Sequence, residues 1–396
     1  MRSGVLDTRA VTVALPLGFS SYVTNVGVKD DSKDFTVVAA QHACPAAGVF
    51  TQSRFAGPSV LLSRRNLASG TARAVVVVSK NANVANGREG AVHAEEVVAA
   101  VASRLGIPPG QVLLASTGVI GRPYPIDKIR AGIDSLPVPL PDADAEQVAI
   151  GIMTTDTVHK IVEAPVPGSK ARIVGVAKGV GMIEPNMATL IAMVFTDAAV
   201  DSAELDAVFR RAIDKTLNCV SVDTDTSTSD TAVILASGAA GAVNSDAFED
   251  ALVDVLTMLA KKIARDGEGA ETLIEVHVDG ARDAEQAKTV AKSIVNSPLV
   301  KTAVHGADPN WGRVAMAVGK CSQYDDIMED RVVIRFGTQE VFPRKVDASG
   351  LDTLSRYMRG DEVLIHVSLG IGEARATVWG CDLTDGYVRI NADYTT

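Results

Sequence analysis

The first candidate for chemistry in this chain is a hydroxyl residue, Thr189, which follows Ala188 in the segment KGVGMIEPNMATLIAMVFTDA at 178–198. Two glycines and the Pro185-Asn186 pair predict a tight, irregular approach, and the apolar run after Thr189 predicts a buried strand. A hydroxyl at the start of a strand, preceded by a loop that can hold strain, suits attack on the preceding peptide carbonyl. The signal is weak by itself, because threonine is a normal strand residue.

The common signatures of other enzyme classes are absent. The sequence has no GxxxxGK[ST], HExxH, GxSxG or complete GxGxxG motif, so nucleotide hydrolysis, zinc proteolysis, α/β-hydrolase chemistry and Rossmann binding lose their usual support. The acidic stretch 223–230 superficially resembles a calcium loop, but it has Thr228 where an EF-hand needs glycine and Ile234 where it needs glutamate. We therefore predict a polar turn whose short side chains cap backbone groups, and no metal site.

The histidines and cysteines lack the spacing of a metal or catalytic site. His277 and His366 lie in strand-like runs, where a packed and hydrogen-bonded imidazole is the expected role. His305 lies in the turn-rich stretch HGADPNWGR, for which a structural turn is also favoured. The four cysteines lie far apart without a CxxC pair, which indicates reduced thiols rather than disulfides or a zinc knuckle.

Composition and charge limit the class of protein. The 396 residues are 47% hydrophobic and 22% charged, which indicates a soluble chain of one large domain or two and excludes a disordered or coiled-coil protein. A net charge of −10 and 4% aromatic residues argue against nucleic-acid binding. The longest strongly apolar stretch, 190–195, is far shorter than the roughly 20 residues that span a bilayer, and the N-terminus does not resemble a signal peptide. We therefore predict a cytoplasmic enzyme without a membrane partner.

Strand and helix patterns alternate along the chain. Apolar, β-branched runs predict strands at 74–78, 112–115, 191–195, 231–236, 332–336, 363–367 and 376–379. Apolar residues at three- and four-residue spacing predict helices at 93–105, 245–265 and 281–295, the second of them capped by Ser245. The mixture predicts an α/β or α+β protein. A domain break is expected near 296–302, after which strand patterns dominate.

Several motifs in the same order carry a family resemblance. They are STGVIG at 116–121, MTTDT at 153–157, PNMAT at 185–189, DGEGA at 266–270, HGADPNWGR at 305–313 and YVRIN at 387–391. Through them the chain, from about Asp34 to Thr396, resembles the ornithine acetyltransferase family, also called glutamate N-acetyltransferases. The segments TGVIGR, MTTDT and SVDTDTSTSD resemble most closely those of the paralogues found in clavulanic-acid-type gene clusters.

The resemblance implies a fold and a self-processing step. The fold would be a layered α/β sandwich with a smaller C-terminal α/β region from about residue 297. The precursor would cut itself between Ala188 and Thr189 into an α fragment, 1–188, and a β fragment, 189–396, which would assemble as a heterotetramer of two α and two β. Thr189 Oγ would attack the Ala188 carbonyl, and hydrolysis of the ester would free an α-amine. With an ordinary pKa of about 7.7–8.0, this amine could act as general base for its own hydroxyl.

The resemblance also implies which residues surround the nucleophile. Thr117 and Gly118, in a loop at the end of a predicted strand, would stabilise the oxyanion formed when an acetyl amide is attacked. Lys178 would meet a substrate carboxylate, and Glu268 would meet the ammonium of ornithine. The chain's C-terminal tail would fold into the pocket, and no cofactor is implied. The implied substrate contacts are Thr155, Lys178, Thr189, Glu268, Asn391 and Thr396.

The implied reaction moves an acetyl group from N-acetylornithine to glutamate through an acetyl-enzyme with ping-pong kinetics, in arginine or clavam-like secondary metabolism. Glu184, Thr224 and Ser229 depart from the commoner family pattern, and these departures leave the acyl donor and acceptor open. The alternatives are a self-activated amidohydrolase or aminopeptidase, a transferase with another amino-acid donor or with acetyl-CoA, and a non-catalytic binding protein.

Overall fold

Two β-sheets form the framework of the protein, and helices cover them. The computed structural model describes residues 13–184 and 190–393. The strands in this part of the chain are β1 (Phe19–Thr24), β2 (Phe35–Phe50), β3 (Thr71–Val78), β4 (Val112–Ser116), β5 (Lys160–Pro165), β6 (Arg172–Lys178), β7 (Ile191–Ala199), β8 (Thr231–Ala242), β9 (Leu273–Ala281), β10 (Val333–Phe336), β11 (Gln339–Phe342), β12 (Glu362–Ser368) and β13 (Ala374–Cys381). The α-helices are α1 (Pro58–Asn66), α2 (Gly87–Leu105), α3 (Ile126–Asp134), α4 (Ala145–Gly151), α5 (Ser202–Lys215), α6 (Ser245–Arg265), α7 (Ala284–Val295), α8 (Pro298–His305), α9 (Trp311–Gly319), α10 (Ala348–Met358) and α11 (Asp385–Asp393).

The larger sheet has the strand order β4-β3-β2-β8-β7-β6-β5, and β1 pairs with the long strand β2. β3 and β4 are parallel, as are β7 and β8, and the other neighbours are antiparallel. The register of the β7–β8 pair places Ile191 opposite Thr231, so these two strands begin side by side. The residues that precede them, Leu190 and Asp230, therefore lie at the same edge of the sheet.

The central strands of the larger sheet are buried on both faces. In β7, Ile191, Met193 and Phe195 pack into the same core cluster as the apolar residues of α4, whereas Ala192 and Val194 pack on the opposite face with α5 and α6. Burial of both faces explains why β7 and β8 have continuous apolar runs instead of alternating apolar and polar residues.

The smaller sheet has the order β11-β10-β12-β9-β13, with β12 parallel to β9 and the other neighbours antiparallel. Helix α7 packs on β9 and β13. Helix α6 contacts strands of both sheets, and one hydrophobic cluster runs from β7 through α6 to β9 and β12. The two sheets therefore share a continuous core, which holds the loops at their common edge in place.

The predicted fold class is confirmed, and the seven predicted strands and three predicted helices are all present. Three details of the helix starts were wrong. α2 begins at Gly87 instead of at residue 93. α7 begins at Ala284 because Ala281 is the last residue of β9, and Asp283 caps the helix by accepting a hydrogen bond from the Gln286 N–H. The cap of α6 is Asn244 instead of Ser245, through a bond from the backbone N–H of Ala247.

The C-terminal region contains more helix than the sequence predicted, since α8, α9, α10 and α11 all follow residue 297. β9 lies inside the smaller sheet although it precedes the expected break. The division of the chain near 297 stays a proposal, and a boundary between α6 and β9 agrees better with the membership of the sheet. No helix in the described ranges is long and apolar enough to cross a membrane.

Candidate active site

A polar cleft of about 320 Å³ opens at the edge of the larger sheet, close to where β6 ends and β8 begins. Six residues implicated by the family resemblance line this cleft, although they come from five separate parts of the chain. They are Thr117, Gly118, Thr155, Lys178, Glu268 and Asn391. The structure thus brings these six together, while their individual roles stay predictions. Three further predicted residues, Ala188, Thr189 and Thr396, lie outside the described residues.

The loop after β4 contains a glycine that its conformation requires. Gly118 has φ of +135°, and a Cβ atom there would lie 2.1 Å from the carbonyl carbon of Lys80. The Val78 carbonyl fixes the same loop by accepting the Thr117 N–H at 3.2 Å. The Gly118 N–H donates to no other residue in the described ranges. An unused N–H beside a hydroxyl, held rigidly at the end of a strand, is what stabilisation of an oxyanion requires.

Lys178 supplies a buried positive charge at the cleft. It is the last residue of β6, its side chain is 4% exposed, and its Nζ lies 3.9 Å from Asp156 Oδ2. Burial lowers the pKa of Lys178, and the carboxyl groups of Asp156, Asp230 and Glu268 oppose that change. An anionic substrate group in the cleft would give this ammonium a charge-assisted hydrogen bond in place of water.

Glu268 supplies a negative charge to the cleft, in the turn that follows α6. A Cβ atom on Gly181 would lie 2.6 Å from the Glu268 carboxylate, so a larger residue there would displace this carboxylate from its position. Asn391 in α11 donates from Nδ2 to Glu268 Oε2 at 3.0 Å. Gly269, with φ of +70°, lets α11 approach this turn closely, since a Cβ there would lie 2.3 Å from Tyr387 N. The described part of the C-terminal segment therefore reaches the cleft.

The acidic loop 223–230 holds the residues that directly precede position 185. Asp223 accepts hydrogen bonds from the backbone N–H groups of Met182 and Ile183 at 2.6 and 2.7 Å. The Asp225 carbonyl accepts the Glu184 N–H at 3.0 Å. The loop was predicted to be a polar turn that caps backbone groups, and that prediction is confirmed.

The same loop holds Leu190, the first described residue after position 189, through Asp230. Asp230 Oδ1 accepts the Leu190 N–H at 2.8 Å, and the Leu190 carbonyl accepts the Thr231 N–H at 3.0 Å. Leu190, the residue after Thr189 in the sequence, is thus held on both sides. Asp230 is fully buried, and its Oδ2 makes no hydrogen bond within the described structure. Burial raises the pKa of Asp230 well above its ordinary value, which favours a neutral carboxylic acid.

Sequence reasoning did not identify Asp156 or Asp230 as parts of the site. Asp156 lies inside the MTTDT motif, and Asp230 comes directly before a predicted buried strand. An acidic residue next to a strand start was the available signal, but it does not distinguish a buried carboxyl from a solvated turn residue.

The three departures from the family pattern lie in different places. Thr224 has φ of +69°, the left-handed region that favours the glycine of the commoner pattern. The Glu184 carboxylate accepts from Asn296 Nδ2 at 2.8 Å and pairs with Lys292 at 3.6 Å, and it lines a neighbouring cavity. Ser229 lines the candidate cleft. Of the three, Ser229 is therefore the one placed to contact a substrate.

His277 and His366 have structural partners away from the cleft. His277 Nδ1 lies 2.9 Å from Thr377 Oγ1, and His366 Nε2 lies 2.8 Å from Asp279 Oδ2, so the predicted packed and hydrogen-bonded imidazoles are confirmed. His277, Asp279 and His366 could together hold a metal ion, but none of them lines the cleft. The four cysteines are buried and unpaired, as predicted, and burial raises the pKa of their thiols.

Comparison with known proteins decides the family. The sequence model of the ArgJ family matches residues 20–396. The chain belongs to the ArgJ family. Arginine biosynthesis bifunctional protein ArgJ 2 from Nostoc sp. is 56% identical, over 96% of this chain and 98% of its own length. Glutamate N-acetyltransferase Oat2 from Streptomyces clavuligerus is 54% identical, over 97% and 99%. The predicted family and the predicted enzyme class, an acyltransferase, are confirmed.

Solved structures of ArgJ-type proteins also resemble this chain. Arginine biosynthesis bifunctional protein ArgJ from Bacillus halodurans is 40% identical, with a TM-score of 0.47, and the match covers 50% of this chain and 96% of that one. Ornithine acetyltransferase from Mycobacterium tuberculosis, solved in complex with ornithine, is 28% identical with a TM-score of 0.37, over 45% and 96%.

Proposed function

We propose that the chain cuts itself between Ala188 and Thr189 and then moves an acetyl group from N-acetylornithine to glutamate. Membership of the ArgJ family supports the acyl transfer, and a 54% identical relative is named a glutamate N-acetyltransferase. One observation carries the proposal. The proposed oxyanion donors Thr117 and Gly118, the Lys178 ammonium and the Glu268 carboxylate line a single cleft. The loop 223–230 borders this cleft and also holds Glu184 and Leu190, the residues on either side of 185–189.

Cleavage would proceed in two steps. Thr189 Oγ attacks the Ala188 carbonyl carbon, and the peptide C–N bond breaks as the nitrogen takes up the hydroxyl proton. Water then hydrolyses the ester and leaves a carboxylate on Ala188 and both an amine and a hydroxyl on Thr189. Asp223 and Asp230 support this step by fixing the backbone on either side, which reduces the entropy lost on reaching the reactive geometry.

Acetyl transfer would use the same residue as nucleophile. The Thr189 amine takes the proton of its own hydroxyl, and Oγ attacks the acetyl carbonyl of N-acetylornithine. The Thr117 hydroxyl and the Gly118 N–H donate to the oxyanion. The proton passes to the leaving amine, ornithine departs, and the amine of glutamate takes the acetyl group by the reverse path.

The charges of the cleft match an amino-acid donor. Lys178 would bind the α-carboxylate of N-acetylornithine, and Glu268 would bind its side-chain ammonium. Glutamate brings a carboxylate in place of that ammonium, which Glu268 would repel. Asn391, whose amide lies beside Glu268, can donate a hydrogen bond to this group instead.

The two fragments would remain one folded unit. β6 of the α fragment pairs with β7 of the β fragment along six residue pairs, and β2 pairs with β8 along five. We propose a cytoplasmic heterotetramer of two α and two β fragments that serves arginine or secondary metabolism.

Intact-protein mass spectrometry, with and without N-acetylornithine, tests the proposal. We expect two fragments, residues 1–188 and 189–396, and a β fragment that gains the mass of one acetyl group when the donor is added. Glutamate should discharge that group as acetylglutamate. Thr189→Ala is the control, because it removes the nucleophile and should leave an uncut and unacetylated chain.

Three outcomes would contradict the proposal. A folded wild-type chain that stays uncut would exclude self-processing. A cut chain that releases only free acetate, with or without glutamate, would indicate an amidohydrolase. A processed and active Thr189→Ala variant would show that another residue is the nucleophile.

A further inference from the structure

Four buried charged residues form a row of contacts that begins at the cleft with Lys178. Lys178, Asp156, Lys160 and Asp266 have side chains that are 4%, 0%, 0% and 5% exposed. Two ammonium and two carboxylate groups balance, so the row carries no net charge. Charged groups this deeply buried are costly unless each has a partner of opposite sign and its hydrogen bonds are satisfied.

Asp156 is the centre of this row. Its Oδ1 accepts hydrogen bonds from Lys160 Nζ and from the Gly179 N–H, both at 2.7 Å. Its Oδ2 accepts the Thr154 N–H at 3.1 Å and faces Lys178 Nζ at 3.9 Å. One carboxylate therefore fixes the turn before β5, the end of β6 and the lysine that faces the cleft.

Lys160 connects Asp156 to a third element. Its Nζ also donates to Asp266 Oδ2 at 2.5 Å, and Asp266 is the residue that ends α6. Asp266 stands two residues before Glu268, and Asp156 directly follows Thr155. One end of the row, Lys178, lines the cleft itself, and the other end, Asp266, is two residues away from Glu268, which also lines it.

We propose that Asp156, supported by Lys160 and Asp266, is a positioning residue that keeps the Lys178 ammonium charged and directed at the carboxylate of the amino-acid substrate. This inference rests on the proposed acetyl transfer, in which Lys178 binds that carboxylate. It adds a residue that does not touch substrate but sets the charge of one that does.

The electrostatics of the neighbouring groups assign this role to Asp156. Lys178 is faced by Asp156, Lys160, Asp230 and Glu268. Burial lowers its pKa and Lys160 lowers it further, while Asp156 is the strongest opposing influence. Burial raises the pKa of Asp230 and so disfavours its charge, which makes Asp230 a weaker counter-charge to Lys178 than Asp156. Burial also disfavours the charge on Asp156, but Lys178 and Lys160 outweigh it and lower the pKa of that carboxyl.

Asp156→Asn tests the inference, because it keeps the shape of the side chain and removes its charge. The Lys178 ammonium would then lose its proton at a lower pH than in the wild-type protein. We expect kcat/KM for N-acetylornithine to fall at least tenfold, mainly through KM. We also expect the basic limb of the pH–activity profile to shift to lower pH than in the wild-type protein. Both are measured by steady-state acetyl transfer to glutamate between pH 6 and 10.

Asp197→Asn is the matched control. Asp197 is also buried and accepts backbone hydrogen bonds, from Leu17 and Arg172, but it lies toward the other end of β7. This variant should keep the wild-type KM and pH profile. An acid shift of equal size in Asp197→Asn would assign the effect to general loss of stability and overturn the inference.

The outcomes separate this inference from the proposed function. If the wild-type chain is neither cut nor active, the proposed function is wrong. If the wild-type chain is active and Asp156→Asn has the same KM and pH profile as the wild-type chain, the inference alone is wrong. If Asp156→Asn does not fold, the double variant Lys160→Met/Asp266→Asn replaces it. This variant removes one positive and one negative charge, so Asp156 keeps Lys178 as a partner but loses the ammonium that holds its carboxylate. A folded double variant with wild-type KM and pH profile would likewise overturn the inference.

Discussion

At the scale of single residues, the proposed oxyanion donors, Thr117 and Gly118, depend on a backbone conformation at position 118 that favours glycine. Gly118 has positive φ and lies against Lys80, so its N–H has a fixed direction. We predict that Thr117→Ala slows formation of the acetyl-enzyme by about 10²–10³-fold, since one oxyanion donor is lost. Thr117→Ser keeps the hydroxyl and is the control. The rate at which the β fragment gains an acetyl group, followed by mass spectrometry, measures the effect, and an equal rate in Thr117→Ala would exclude this role.

Asp230 gives a prediction about stability and pH. Its pKa is raised in the folded state. As pH rises above the ordinary pKa of a carboxyl group, the unfolded chain therefore releases a proton that the folded chain keeps. The free energy of unfolding of the wild-type protein falls as a result. Asp230→Asn still accepts the Leu190 N–H but cannot ionise. We therefore expect the free energy of unfolding of Asp230→Asn, relative to Asp230, to rise between pH 5 and pH 8. Urea denaturation in the uncut Thr189→Ala background measures it, and a constant difference would show that Asp230 is ionised in the fold.

At the scale of elements, the loop 223–230 is strained at Thr224. A β-branched residue at φ of +69° costs about 1–2 kcal/mol, and the greater freedom of glycine in the unfolded chain offsets about 0.4–1 kcal/mol of that. We predict that Thr224→Gly raises the free energy of unfolding by about 0.5–1 kcal/mol.

Thr226→Gly is the control for this prediction. Thr226 is exposed in the same loop but is not among the residues with positive φ, so glycine there should lower stability. Urea denaturation in the Thr189→Ala background compares the two variants. Equal losses of stability in both variants would mean that the left-handed conformation of Thr224 carries no strain.

At the scale of the whole molecule, cleavage would cut a chain whose two parts share one sheet. β7 lies between β6 and β8, and the core cluster on one face combines residues of both fragments. We predict that the fragments coelute in size-exclusion chromatography at every urea concentration that preserves the circular dichroism of the native protein. Separation at lower urea would contradict the shared core.

Part of this fold could be predicted from local sequence. Strands β3, β4, β7 and β8 have continuous apolar runs because they are buried on both faces, and α6 has a regular apolar stripe. Strand β2 was not predicted, because it contains Gln41, His42, Pro45 and Gly48 and changes partners along its length. Its identity depends on neighbours distant in sequence, which local propensity does not include.

By itself the sequence determined the family, the acyltransferase class and the hydroxyl residue for which cleavage is proposed, because these depend on the order of motifs along the chain. Only the tertiary structure decided that Thr117, Thr155, Lys178, Glu268 and Asn391 line one cleft, since five separate segments must meet there. It alone also decided which charges are buried. Lys160 looks like a surface lysine in the sequence, and its partner Asp266 is 106 positions away. A charged side chain can be buried only where a distant segment supplies its counter-charge, and that pairing is a property of the folded chain.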